Sequence, residues 1–565
     1  SRYRDQGRKG HCPAQLEFYS AATVSFAMAR TDSIRNYPGA ICGTAAIGLA
    51  SFTSFCIAIS VSVALGVCAL AIATHWGIGI YPDSIVYIGT ARTILNGDGV
   101  RFLNDVGEIA PVTQYPPLYP LMIAAFGAFG VDPLDGARWI SILFYAGNAL
   151  LAAYIVYRVA SSYTASWLAC FLSLSAFPMV YIHSQALTEP VFIFLVLLGF
   201  LWLVEFLGGS SAWRLYGASL MISLSCLVRY VGIAFLLTGG AAILCLSASR
   251  WTQRLSAALK FMILGSLPLA VWVLRNFFTA GNAVNRTFGI HPPGLYDLLP
   301  ALDTAGYWLL PIAVVENTPW LARSVIVILF LSVACLAART KCLASRHLQA
   351  LVFCLAGYGL FLLVSMSLND QPLFFDTRTL ALPYMAAMIL TLSVMADWLR
   401  AARPEQRTAR WFAFDQVVIV LLVVQTINGV AWLKQSYVDG IGFATEQWRA
   451  SDLIGFVKNS RSPLLIFSNA PDFIATLTGR PAAMIPRKVN PSDHQPNDRY
   501  GAELDAMREQ LKKPNAVVLY FNDDNRLWYL PTASELETKL PLNVIKPAAD
   551  GKIYRLESDP TSAKP

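Results

Sequence analysis

Residues 215–248, LYGASLMISLSCLVRYVGIAFLLTGGAAILCLSA, decide how the chain is threaded. The stretch is apolar throughout except near its middle, where Arg229 and Gly232 interrupt it. One long kinked helix would satisfy the hydropathy. Two short membrane spans, 215–228 and 231–248, satisfy both the hydropathy and the charges around them.

Working outward, apolar runs of spanning character lie at 41–74, 137–158, 164–182 and 190–207 before this stretch. Five more follow it, at 259–275, 322–338, 349–367, 379–398 and 415–433, which makes about eleven spans in all. With residues 1–39 read as a cytoplasmic tail, Arg158, Arg214, Arg250, Arg254, Lys260, Arg339, Lys341 and Arg346 fall in cytoplasmic loops. So do Arg400, Arg403, Arg407 and Arg410, and every cytoplasmic turn then obeys the positive-inside rule. Removing one early span would invert everything after it and spoil that match.

Composition agrees. The 565 residues are 55% hydrophobic and only 14% charged, with a mean hydropathy of +0.50. Soluble domains carry about a quarter charged residues. The net charge of +8 is spent on topology rather than on nucleic acid, because the basic residues sit mostly in short loops. The ten cysteines fall in apolar runs, the tail or cytoplasmic loops, none beyond Cys354, and no metal-type pair occurs. They read as small buried hydrophobes. The tail has no cleavable signal pattern, since the apolar run that follows it is too long for one.

Three hydrophilic stretches then face outward. The loop 75–136 is Pro-rich (Pro111, Pro116, Pro117, Pro120) and holds a short apolar piece, Leu118 to Val131, suited to an interfacial or re-entrant helix. The loop 276–320 is the second. The third is 436–565, where strand-like runs at 464–468, 516–521 and 553–556 alternate with helical segments and predict a small α/β domain. The fold class is therefore a polytopic α-helical membrane protein with a small extracytoplasmic α/β domain at its C-terminus.

Under this topology Asp83, His183, Glu189, Arg229, Arg275, Asp370, Asp376 and Arg378 gather at the outer ends of the spans. Burying such groups is expensive, so their convergence marks a site. Each also has a bland reading. Asp83 and Glu189 could open helices, Glu189 with Pro190 at the first helical position. His183 could be an interfacial hydrogen-bonding residue, and Asp376 a turn residue or a partner of Arg378. The arginines could snorkel. Arginine is disfavoured on this side, however, and three of them there predict a bound anion.

These motifs resemble the C-type glycosyltransferases, in particular the protein O-mannosyltransferase and aminoarabinose-transferase-like superfamily, over roughly residues 40–435. The blocks that carry the resemblance are YPDSIVYIGTARTILNGDG (81–99), QYPPLYPLM (114–122) and ALTEPVFIFL (186–195). LVRYVGIAF (227–235), WVLRNFFTAGNAVNR (272–286) and DTRTLALPY (376–384) complete it. The resemblance implies a polyprenyl-phosphate sugar as donor and a glycan, lipid or protein as acceptor. It implies inverting single displacement with Asp83 as general base and Glu189 positioning donor or acceptor. Arg229, Arg275, Arg378 and Arg286 would serve the lipid phosphate, with His183 assisting and Asp376 beside them. No cofactor is implied, and no divalent metal, because the outer cluster mixes acids with arginines. The setting implied is a bacterial inner membrane with the site on the periplasmic side.

Asp83 is followed by Ser84, where many protein-mannosylating members carry Asp-Glu, and this argues against protein mannosylation as the specific reaction. A secondary transporter is the main rival, but it would place its charges near the bilayer midplane, often in two related halves. An O-antigen-type ligase or polymerase would show one large outer loop late in the chain. Asn285-Arg286-Thr287 also matches an N-glycosylation acceptor.

Overall fold

The computed structural model describes residues 41–103, 109–209, 211–285, 288–290, 292–339, 345–368, 374–490, 495–522 and 527–557. The chain divides after Ile57. The description before that point is the first part of a helix, α1 (Ile41–Ala73), and from Ala58 onward the residues form one compact unit.

After α1 come α2 (Pro82–Leu95), a hairpin of β1 (Arg101–Leu103) and β2 (Ile109–Pro111), and α3 (Leu118–Ala128). The expected short apolar piece is thus a real helix. Its eleven residues span about 16 Å, too short to cross a bilayer. It packs on α2 and on α4 (Pro133–Ala160) with Tyr119, Ile123 and Ala124 buried.

The helical bundle continues through α5 (Tyr163–Ser175), α6 (Phe177–His183), α7 (Glu189–Leu207), α8 (Trp213–Val228), α9 (Gly232–Leu246) and α10 (Trp251–Ala280). Two shorter helices, α11 (Leu295–Gly306) and α12 (Ile312–Asn317), lead to α13 (Pro319–Arg339), α14 (Arg346–Leu368), α15 (Ala381–Arg400) and α16 (Pro404–Asp439).

Every expected apolar run is helical, but the number able to cross a bilayer alone is smaller. Among the described residues eight helices are long and apolar enough, or nine if the bent pair α5–α6 counts as one span. That pair breaks at Ala176, whose backbone is extended ahead of Pro178, and the two halves meet at 54°. Helices α8 and α9 have 16 and 15 residues, about 24 and 22 Å, against a hydrocarbon core of about 30 Å. The break between them falls at Arg229, which is extended (φ −147°, ψ 134°). A guanidinium kept on a non-helical linker can be aimed independently of either helix. Arg407 and Arg410, read from sequence as loop residues, lie inside α16, which starts at Pro404 and runs for 36 residues.

Beyond α16 a tight hairpin of β3 (Gly440–Ile441) and β4 (Ala444–Thr445) leads through α17 (Glu446–Arg449) and α18 (Asp452–Asn459) into a small α/β body. Its strands are β5 (Leu465–Ser468), β6 (Ala483–Met484), β7 (Ala516–Phe521), β8 (Leu542–Ala548) and β9 (Gly551–Leu556). Helices α19 (Pro471–Thr478), α20 (Tyr500–Leu511) and α21 (Ala533–Lys539) pack around them. The sheet order is β6-β5-β7-β9-β8, parallel among the first three and antiparallel thereafter.

Central strand β7 is buried along its whole length, so its two faces serve two cores. Ala516, Val518 and Tyr520 join Leu504, Met507 and Leu536, while Val517, Leu519 and Phe521 join Leu453, Ile454 and Ile474. Edge strand β8 escapes sequence detection because its residues are mostly exposed and it holds Pro547, tolerated only at an edge.

Candidate active site

Asp83 stands in the first turn of α2, but it is not the cap. Tyr81 occupies that position, and its backbone N–H donates to Ser84 Oγ at 3.1 Å. The Asp83 carboxylate is therefore turned to other partners. Its Oδ1 accepts from the Tyr115 hydroxyl at 2.6 Å, and its Oδ2 accepts from Arg378 Nη2 at 2.6 Å.

Arg378 also reaches Glu189, with Nε 3.0 Å from Oε1. Glu189 opens α7 and is buried. The same Oε1 forms an ion pair with Arg229 Nη1 at 2.6 Å, and that nitrogen donates a hydrogen bond to Thr188 Oγ1 at 2.9 Å. The Arg229 guanidinium sits over the Phe192 ring, 5.9 Å from its centroid. The result is one continuous chain, Tyr115–Asp83–Arg378–Glu189–Arg229. Its side chains differ in access: Glu189 is 3% exposed, whereas Asp83, Arg378 and Arg229 are 27%, 24% and 28% exposed. The acid between the two arginines is buried, and the other three charges are each about a quarter exposed.

Two acids and two arginines leave this cluster formally neutral. An acid buried alone would be costly, and the charge-assisted hydrogen bond from Arg378 together with the ion pair to Arg229 offsets that cost. Burial alone works against the charge on Arg378, but Glu189 and Asp83 outweigh it and push the guanidinium further up, so it is always a cation.

The remaining expected residues fall elsewhere. His183 is completely buried, with Nδ1 2.7 Å from the Met179 carbonyl oxygen and Nε2 3.2 Å from Asn148 Nδ2. Both ring nitrogens are taken up by helix packing, so the structure does not present it to a phosphate. Arg275 donates to the carbonyl oxygens of Val112 (3.1 Å) and Val100 (2.9 Å) and lies over Trp272. It clamps the β1–β2 hairpin to α10 and, among the described residues, does not touch the cluster. Asp376 closes a turn: its Oδ1 accepts from the Thr379 N–H at 2.8 Å, and its carbonyl accepts from Leu380 N at 3.0 Å. That turn carries Arg378. Arg286 and Asp370 lie outside the described residues.

Sequence reasoning missed one contributor to the cluster and one buried acid outside it. Tyr115 lies inside the quoted Pro-rich block, one residue before Pro116-Pro117, and position in that block is the signal that could have found it. The other is a second buried acid, Glu205, at the far end of α7, paired with Arg158 Nη1 at 2.6 Å and with Arg214. It lies about 24 Å along the helix from Glu189 and serves to join α4, α7 and the start of α8. Among the described residues no group of three or more His, Cys, Asp or Glu side chains comes together to hold a metal ion.

Residues 106–282 match the model of the family described as dolichyl-phosphate-mannose-protein mannosyltransferase. No curated protein matches the sequence. Among solved structures, ArnT from Cupriavidus metallidurans bound to undecaprenyl phosphate is 12% identical, with a TM-score of 0.57 over 88% of this chain and 97% of that one. Its apo state gives 0.56 over the same shares. The arabinofuranosyltransferase AftD from Mycobacteria is 15% identical, with a TM-score of 0.52 over 89% of this chain and 41% of that one. The family model over residues 106–282 and these folds agree in kind: the chain has a polytopic helical membrane fold similar to that of C-type glycosyltransferases.

Proposed function

We propose that this membrane glycosyltransferase moves a sugar from a polyprenyl-phosphate donor to an acceptor hydroxyl on the extracytoplasmic face of a bacterial inner membrane, by inverting single displacement. The observation that carries the reading is the Asp83–Arg378–Glu189–Arg229 chain, in which one arginine bridges carboxylates from two separate segments. ArnT, of the same fold, holds undecaprenyl phosphate, which supports a polyprenyl phosphate as the lipid carrier.

Asp83 is the general base. It takes the proton from the acceptor hydroxyl as that oxygen attacks the anomeric carbon. The bond from that carbon to the phosphate oxygen breaks, and its electron pair leaves on the phosphate. The leaving phosphate gains one negative charge while Asp83 loses one, so the net charge of the site is constant through the step. What changes is where the charge sits. Arg229 and Arg378 face that movement with guanidinium groups already oriented by Glu189, so little reorganisation is needed at the moment of reaction. Their described contacts use Arg378 Nε and Nη2 and Arg229 Nη1. The other N–H groups of both are suited to phosphate oxygens. No divalent metal is needed in this scheme, and the acceptor is a glycan, lipid or protein hydroxyl.

Tyr115 orients the base. Tyr115→Phe removes one hydrogen bond to a charged group, worth about 1.5–3 kcal/mol where such bonds have been measured. Transfer should slow roughly tenfold or more, with donor affinity unchanged in a binding titration. A Phe variant as fast as wild type would remove Tyr115 from the site.

The test of the function itself is transfer of label from a panel of radiolabelled polyprenyl-phosphate sugars by the purified full chain, with native membrane extract supplying acceptors. Label moved onto an acceptor establishes the reaction class. A folded protein silent across the panel would overturn the donor class and turn attention to transport.

A further inference from the structure

The segment that delivers Asp83 is the middle strand of a three-way crossing of backbone. On one side Gly79 pairs with Gln185 in a parallel bridge: Gly79 N–H donates to Ser184 O at 2.9 Å, and Ala186 N–H donates to Gly79 O at 2.9 Å. On the other side Ile80 pairs with Gly442, and Phe443 N–H donates to Ile80 O at 3.1 Å. Asp83 follows Ile80 by three residues, and Glu189 follows Ala186 by three. The third partner, Gly442–Phe443, sits in the β3–β4 hairpin at the root of the C-terminal body. Ile80, Ser184 and Gln185 are each at most 1% exposed, so that side of the crossing is held away from water, while Gly442 and Phe443 are half-buried.

Two glycines make this approach possible. Gly442 has φ +58°, and a Cβ there would stand 2.2 Å from Ile80 O. A Cβ on Gly79 would stand 2.6 Å from Ile441 Cγ2 and 3.0 Å from Gln185 Cγ. The C-terminal body grips α2 a second time farther along, where Arg92 Nη1 donates to Ala475 O at 2.6 Å. Ile80 and Ile85 also share an apolar cluster with Ala444, Phe443 and Leu477.

We propose that the root of the C-terminal domain is a positioning element for transfer, with Gly79 and Gly442 as positioning residues that set the spacing between Asp83 and Glu189. This rests on the assignment of those two carboxylates made above. The domain is then part of the catalytic machinery, acting through the backbone, and contributes no group that touches substrate. A displacement on the order of 1 Å at a base can cost about 100-fold in rate, and the crossing leaves no slack to absorb an added methyl group.

The experiment compares full-chain Gly442→Ala with Gly479→Ala. Gly479 also has positive φ (+71°) in the C-terminal body, but a Cβ there would meet nothing within 4 Å. The pair therefore separates backbone strain from displacement of the crossing. Gly442→Ala should lose roughly 10- to 100-fold in kcat, with donor KM matching that of Gly479→Ala and a melting temperature lowered by the contact with Ile80 O. Gly79→Ala should lose activity likewise, and adding Ile441→Ala should restore part of it by removing the nearest clashing atom. This second pair carries the test if Gly442→Ala fails to fold. Equal activity of the Gly442 and Gly479 variants, or no rescue of Gly79→Ala, overturns the proposal provided Asp83→Asn is inactive. An active Asp83→Asn protein overturns the base assignment and this inference together.

Discussion

Asp83→Asn is expected to cut sugar transfer by roughly 100- to 10,000-fold, the usual range for loss of a positioned base, while donor binding and melting temperature hold. The asparagine can keep both contacts of the native side chain. Its carbonyl oxygen can accept from Arg378, and its amide can donate to the Tyr115 oxygen, in place of the two 2.6 Å bonds now present. What it cannot do is accept a proton at neutral pH. It also withdraws one negative charge from beside Arg378, so affinity for an anionic donor should stay the same or rise. The measurements are initial rates with a radiolabelled polyprenyl-phosphate sugar and a donor titration on the same preparation. Substantial turnover by the asparagine variant would show that another group takes the proton.

The second large effect is a difference in sign between two neutralisations at opposite ends of one ion pair. Arg378→Gln removes the bridge between Asp83 and Glu189 and leaves an excess of negative charge where the donor phosphate must sit. Donor affinity should fall about 10- to 100-fold, in line with hydrogen bonds to charged groups, and turnover should fall with it. Glu189→Gln does the reverse. It leaves Arg229 and Arg378 without their shared carboxylate, so the site becomes net positive and donor binding should hold or tighten. Turnover should still collapse, because the two guanidinium groups lose the acid that orients them. Breaking a buried pair from one side costs about 3–5 kcal/mol in soluble proteins, so both variants should also melt earlier. If the two substitutions move donor affinity in the same direction, the cluster is a structural tie and the phosphate binds elsewhere.

The bilayer setting and helical character were legible in the sequence because hydropathy is a local property. A run such as 190–207 is apolar enough to declare itself without reference to any other part of the chain, and it became α7. The same holds for β7, whose six residues are apolar on both faces and therefore had to lie at the centre of a sheet. Arg229 and Gly232 marked a true break between α8 and α9 because a charge and a glycine disfavour a continuous apolar helix locally. The sequence also brought the four clustered charges, Asp83, Glu189, Arg229 and Arg378, under suspicion, since ionisable groups at span ends are conspicuous wherever they occur.

Only the tertiary structure decided which of them meet. Arg378 bonds Asp83 across 295 positions of chain, and no periodicity or spacing encodes a contact of that range. Arg275 and His183 looked equivalent to Arg229 and Glu189 by side and by depth. Folding turned Arg275 onto the carbonyls of Val100 and Val112 and sealed His183 against Met179 and Asn148. Asp376 became the closure of a turn rather than a ligand group. The physical reason is common to all three. An ionisable side chain near a membrane must find partners for its donors and acceptors, and backbone carbonyls, amides and opposite charges satisfy it comparably well. Which partner is within 3 Å depends on where helix ends from distant parts of the chain come to rest, and that is settled by packing rather than by composition.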